Sequence, residues 1–197
     1  MYNGVMVKTY TAPPVDKREI LRYAGYKGEA DERTAALLEE CLLECLPMCA
    51  YRICSHLFDV KQNEGVLAIG NLQTDSVLVK HNLADCTQAV VFAATLGLGM
   101  DRLIVKYAGV HTAKALLLQA IGAERIEALC DAFCADLQKE YTQVKDRFSA
   151  GYGDFPLLAQ KEIFTMLDCP RQIGLTLNDS LLMSPTKSVT AIVGVIK

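Results

Sequence analysis

Residues 89–97 read AVVFAATLG, and residues 110–141 read VHTAKALLLQAIGAERIEALCDAFCADLQKEY. The first is a short apolar run ending in a glycine, the pattern of a strongly buried strand. It passes through Thr95-Leu96-Gly97, a loop that hands over to a helix at about Met100 to Tyr107. The second stretch is an almost unbroken series of helix formers, with Gly122 as the position where a break or kink is expected. Its second half, Ala123 to Glu140, alternates apolar and polar residues with helical period.

Working outward, Asp16 is placed to cap a short helix reaching about Tyr23, and Asp31 a longer one over Glu32 to Met48. In the longer helix Leu37, Leu38, Cys41, Leu42, Cys45 and Leu46 fall on one helical stripe. Residues 1–14 read as a loosely ordered arm ending at Pro13-Pro14, and Gly25 and Gly28 bracket a turn. Tyr51 to Val60 is β-prone, Val66 to Ile69 is a second apolar run, and Asp75 to Asn82 suits a short helix. After Arg147 come a glycine-bearing loop, a helix near Leu157 to Leu167, and two β-type runs, Ile173 to Leu177 and Ser188 to Ile196. Strands and helices are mixed without strict βαβ alternation, so the fold class is α+β.

The chain of 197 residues is 51% apolar and 22% charged, which marks it as globular rather than disordered. Its net charge of −3 and pI near 5.6 offer no basic face for nucleic acid or an anionic membrane. The N-terminal stretch has no apolar core of signal-peptide length, and no run is long enough to span a bilayer, so a cytoplasmic location is expected. Eight cysteines are present. Cys41, Cys45 and Cys49 recur every four residues, as do Cys130 and Cys134, which puts each set on one helical face. A metal site is one reading, but neither a CxxC nor an HxxxH pair accompanies them, and His56, His81 and His111 lie far apart. Small buried thiols in the core are the simpler reading.

The chemistry concentrates in Arg147-Phe148-Ser149-Ala150-Gly151-Tyr152, followed by Gly153-Asp154-Phe155-Pro156. A guanidinium fork matches the two oxygens of a carboxylate. Gly151 lets backbone approach a ligand closely, and Tyr152 offers a flat apolar face with a polar tip. Alone, the string also suits an ordinary surface turn.

Taken with the helix LLAQKEIFTMLD and then IGLTLNDSLLMSPTKSV, the string RFSAGYGDFP resembles the S-adenosylmethionine (AdoMet)-binding activation domain of cobalamin-dependent methionine synthase. Order and spacing agree over residues 147 to 190. The resemblance implies a mixed, mainly antiparallel twisted sheet flanked by helices. It divides the chain into residues 1–80, a helical and strand region packing on the core, and residues 81–197, the AdoMet-binding region, within one compact unit. Residues 1 to about 80 are unlike the start of that domain and resemble small free-standing proteins of the same superfamily. Arg147, Gly151 and Tyr152 match the AdoMet motif, and Ser149 falls at a backbone contact. Glu127, in Ile126-Glu127-Ala128-Leu129-Cys130-Asp131, takes the place of a glutamate that contacts AdoMet; its other reading is a solvated acid on a helix face. A second acidic contact is unassigned, with Glu140 as its candidate, and the family's tyrosine-bearing segment lies beyond Lys197.

By this resemblance the chain is an accessory subunit of methionine synthase, a component of its methyltransferase reactivation step. A cobalamin-carrying methionine synthase or related corrinoid protein is the partner. A reduced protein donor supplies one electron and AdoMet the methyl group, converting inert cob(II)alamin to methylcobalamin. The reaction needs the methyl held in line with cobalt and water excluded, with no catalytic base. That suits a sequence without a Walker loop, HExxH or Rossmann fingerprint. Alternatives are a non-catalytic AdoMet- or corrinoid-sensing module that docks onto a corrinoid protein, a docking subunit for such a protein that has lost AdoMet binding, and a metal protein built on its cysteines.

Overall fold

The computed structural model describes residues 4–28, 30–63 and 65–197. At its centre lies β5 (Gln88–Thr95), buried along almost its whole length. Burial on both faces explains why its sequence is a continuous apolar run rather than an alternation. It pairs with β2 (Arg52–Asn63) on one side and β9 (Ser188–Ile196) on the other. Beyond β2 the sheet continues through β3 (Val66–Ile69) and β4 (Leu72–Thr74). β1 (Met6–Thr9) pairs with the first half of β2, and β6 (Gln143–Val144) pairs with the end of β9. This gives a seven-stranded sheet in which every pairing among the described residues is antiparallel. A small separate ribbon joins β7 (Thr176–Leu177) to β8 (Met183–Ser184).

Helices cover both faces. On one, α5 (Thr112–Glu140) packs Ile126, Leu129 and Phe133 against Phe92, Ala191 and Val193. On the other, Val91, Ala93 and Ile192 meet Ile163, Met166 and Leu167 of α6 (Gln160–Leu167) and Ile173 of α7 (Cys169–Ile173). A third cluster gathers α1 (Lys17–Tyr23), α2 (Glu32–Cys45) and α4 (Leu98–Ala108) around the first half of α5, with Ile20, Leu38, Met100 and Ile121 inside. α3 (Val77–Asn82) lies between β4 and β5 in the chain. The N-terminal part of α5 thus belongs to a helical core and its C-terminal part to the sheet core. This mixed α+β architecture agrees with the expected fold class.

Asp16 and Asp31 cap α1 and α2, as their sequence placement implies. In four places the structure differs from what the sequence leads one to expect. Residues 6–9 of the supposed loose arm form β1, held by backbone pairing to β2. All four of its residues are exposed, so no alternation announced it. The second helix ends at Cys45 and tightens into a 3-10 turn over Leu46–Met48, where Pro47 removes a backbone donor. The run from Ile173 is not one strand: Pro170 opens the short helix α7, and only Thr176–Leu177 is extended. Gly122 does not break α5, which runs through it without interruption. A Cβ there would sit 2.8 Å from Lys187 Cε, so the glycine admits a lysine stem against the helix.

All eight cysteines are free. Cys41, Cys45 and Cys130 are fully buried in the helical and sheet cores, and burial pushes Cys41 up to about 11. Among the described residues no group of three or more potential ligands could hold a metal ion. No described helix is long and apolar enough to cross a membrane.

Candidate functional site

Glu127 and Asp131 stand one turn apart on α5, on the same face. Arg147 reaches that face from the segment after β6. The segment is fixed to β9 at both ends: Lys145 N–H donates to Gly194 O at 2.9 Å, and Phe148 exchanges bonds with Ile192 at 2.8 and 2.9 Å. Phe148 turns toward the opposite core. Arg147 donates from Nη2 to Glu127 Oε2 at 2.5 Å and from Nη1 to Asp131 Oδ1. Burial alone lowers the affinity of the guanidinium for its proton. The Asp131 bond and the Glu127 bond, with the nearby Cys130, outweigh that and hold its pKa above the ordinary value.

Arg147, Glu127 and Asp131 form one wall of a cleft of about 670 Å³. The facing wall comes from the N-terminal segment, with Pro13, Pro14, Asp16, Glu19 and Tyr23. The two walls are tied together by a fully buried arginine, Arg125. It donates to Pro13 O at 2.6 Å and Pro14 O at 2.7 Å, and it pairs with its neighbour Glu124. Glu124 in turn accepts the Asp16 backbone N–H at 3.0 Å, which sets the start of α1 against α5. Across the cleft, burial and then the Glu127 charge raise the pKa of Tyr23. Among the described residues the lining holds five carboxylates, of Asp16, Glu19, Glu124, Glu127 and Asp131, and one cation, Arg147; Glu127 and Asp131 pair with Arg147, while Glu19 and Glu124 have their own partners in Arg22 and Arg125. Such a lining accepts one carboxylate at Arg147 and favours positive charge elsewhere. The volume lies in the range of small-molecule sites.

The predicted residues divide into two groups. Arg147 and Glu127 come together. Ser149, Gly151 and Tyr152 follow Arg147 into a tight loop and do not line this cleft. Gly151 sits at φ +90°, and its N–H donates to Phe155 O at 2.8 Å; a Cβ would lie 3.0 Å from Leu157. Tyr152 donates its N–H to Ser149 O, stacks edge-on against Phe148, and is 67% exposed. Glu140, the candidate second acid, lies three turns further along α5 beside a separate groove with Tyr10 and Tyr141. The acid that joins Glu127 at the guanidinium is Asp131, whose spacing of four from Glu127 was the available signal.

The fold has a counterpart among solved structures. A crystal structure of the MetH reactivation domain bound to AdoHcy superposes with a TM-score of 0.69, over 98% of this chain and 78% of that one. The chain has the fold of the MetH reactivation domain. Sequence identity is 15%, so the likeness is one of fold. It includes the N-terminal portion, which the sequence motifs of residues 147–190 did not reach. No protein-family model and no curated protein matches the sequence.

Proposed function

We propose that this chain binds AdoMet in the Arg147 cleft and serves as the reactivating accessory subunit of a cobalamin-dependent methionine synthase. The observation that carries the proposal is the meeting of Arg147 with Glu127 at an acidic cleft, on a fold shared with a domain crystallised with AdoHcy. Arg147 holds the methionyl carboxylate through its fork. Glu127 takes the α-ammonium, and the acids of the facing wall, Asp16 and Glu19, offset the positive sulfonium. Tyr23 and the Pro13-Pro14 segment supply an apolar wall for the rest of the ligand. Arg125 fixes that wall and so acts as a positioning residue. Ser149, Gly151 and Tyr152 lie outside the cleft lining, and their proposed part is to form the tight loop that carries Arg147.

When bound, AdoMet supplies an electrophilic methyl group. The chain's own residues orient it and exclude water, and none has to move a proton. The proposed outcome is reductive methylation of cob(II)alamin to methylcobalamin. The cobalamin is carried by a methionine synthase or related corrinoid protein, and the electron comes from a reduced donor protein. The free thiols suit the reducing cytoplasm.

The test is to mix the protein with a cob(II)alamin-loaded corrinoid protein, a reductant and methyl-labelled AdoMet. Label transferred to cobalamin only when this chain is present supports the assignment. Binding of AdoMet without transfer points to the sensing alternative.

A further inference from the structure

The Arg147 clamp is already engaged. Each terminal nitrogen of the guanidinium holds a carboxylate, Nη2 that of Glu127 and Nη1 that of Asp131. A ligand carboxylate binds strongest when it takes two N–H groups of the fork together. Adding it to the existing pair would set three negative charges around one positive charge. One acid has to let go.

The two acids are not equivalent. The side chain of Asp131 is 69% exposed, that of Glu127 41%, and that of Arg147 26%. A released Asp131 returns to water at little cost, because an exposed ion pair contributes little. Glu127 lies deeper in the cleft, facing Tyr23. Asp131 is also short, so a rotation about its own side chain suffices to clear Nη1.

We infer that Asp131 is an internal competitor for the ligand's carboxylate. It holds Arg147 against α5 in the free protein and yields Nη1 when the amino-acid end of AdoMet arrives. The inference rests on the proposed AdoMet reading of the cleft and adds to it the residue that sets the affinity. Asp131 keeps the guanidinium pinned to the α5 wall of the cleft and lowers the ligand's affinity by occupying its place. After exchange, Arg147 carries the ligand carboxylate, Glu127 the ligand ammonium, and Asp131 is solvated.

The experiment is calorimetric titration of AdoMet into the intact chain and into Asp131→Ala, Asp131→Asn and Asp131→Glu, with urea unfolding of each free protein alongside. Loss of a competing exposed pair predicts roughly two- to fivefold tighter binding for Asp131→Ala. Asp131→Asn falls between, and Asp131→Glu restores the affinity of the parent. The unfolding midpoint of Asp131→Ala stays close to that of the parent, which separates competition from a structural effect. If the parent binds AdoMet and Asp131→Ala binds no tighter, the competitor role is overturned while the AdoMet reading stands. If the parent binds no AdoMet, both readings fail.

Discussion

Replacing Arg125 by methionine tests how the cleft is held together. In the parent, Arg125 is fully buried and donates to three acceptors: the carbonyls of Pro13 and Pro14 and the Glu124 carboxylate. Methionine keeps much of the volume and supplies no donor. It leaves the Glu124 carboxylate, 3% exposed, with the Asp16 N–H as its remaining partner described above. Removing one member of a buried ion pair costs about 3–5 kcal/mol, since a charge is left buried and unpaired. Urea unfolding monitored by circular dichroism should show the midpoint falling by more than about 1 M. A second variant isolates the cause. Adding Glu124→Gln to Arg125→Met removes the stranded charge, so the double variant should be more stable than Arg125→Met alone. A cost below about 1 kcal/mol for Arg125→Met would refute the reasoning, as would a double variant whose cost equals the sum of the single ones. Because Pro13 and Pro14 form the facing wall, Arg125→Met should also weaken AdoMet binding.

Glu44 gives a prediction in pH. Bonds from Lys114 and then Lys106 lower its pKa from 4.5 to about 2. A depressed carboxylate contributes stability that is full above its unfolded value and fades as pH falls from about 4.5 through 2. Glu44→Gln should therefore cost about 1–2 kcal/mol at pH 7, discounted because Glu44 is 28% exposed, and much less near pH 2. Paired urea titrations at the two pH values check it. Gly99→Ala should destabilise by about 1–3 kcal/mol although alanine is the better helix former, because the new Cβ would lie 2.1 Å from Met48 O. Thermal unfolding of the variant checks the sign.

What could be read from the sequence follows from how local each cause is. Capped helices α1 and α2, the doubly buried β5 and the long α5 declare themselves through side chains close in sequence. β1, β4, β6 and β8 are two to four residues long and owe their form to partners elsewhere in the sheet or ribbon, so no periodicity marks them. The place of Gly122 depends on Lys187, far along the chain, so nothing local in the sequence marks it. The same distinction runs through the site. Of the proposed site, Arg147 and Glu127 stand in short sequence motifs. Pro13 and Pro14 reach the cleft through Arg125, more than a hundred residues away, and only the folded chain brings them there. Asp131 was within reach of the sequence, as the next acid on the Glu127 face, but its meaning depends on where Arg147 points.

The central claim is that the Arg147 cleft holds AdoMet, and calorimetry of AdoMet against the parent and Arg147→Ala tests it most directly. The account predicts saturable binding by the parent and a loss of roughly tenfold to a hundredfold in Arg147→Ala, as expected for removing a charge-assisted hydrogen-bonding partner. Equal affinity in the two proteins, or no binding by the parent, would contradict it.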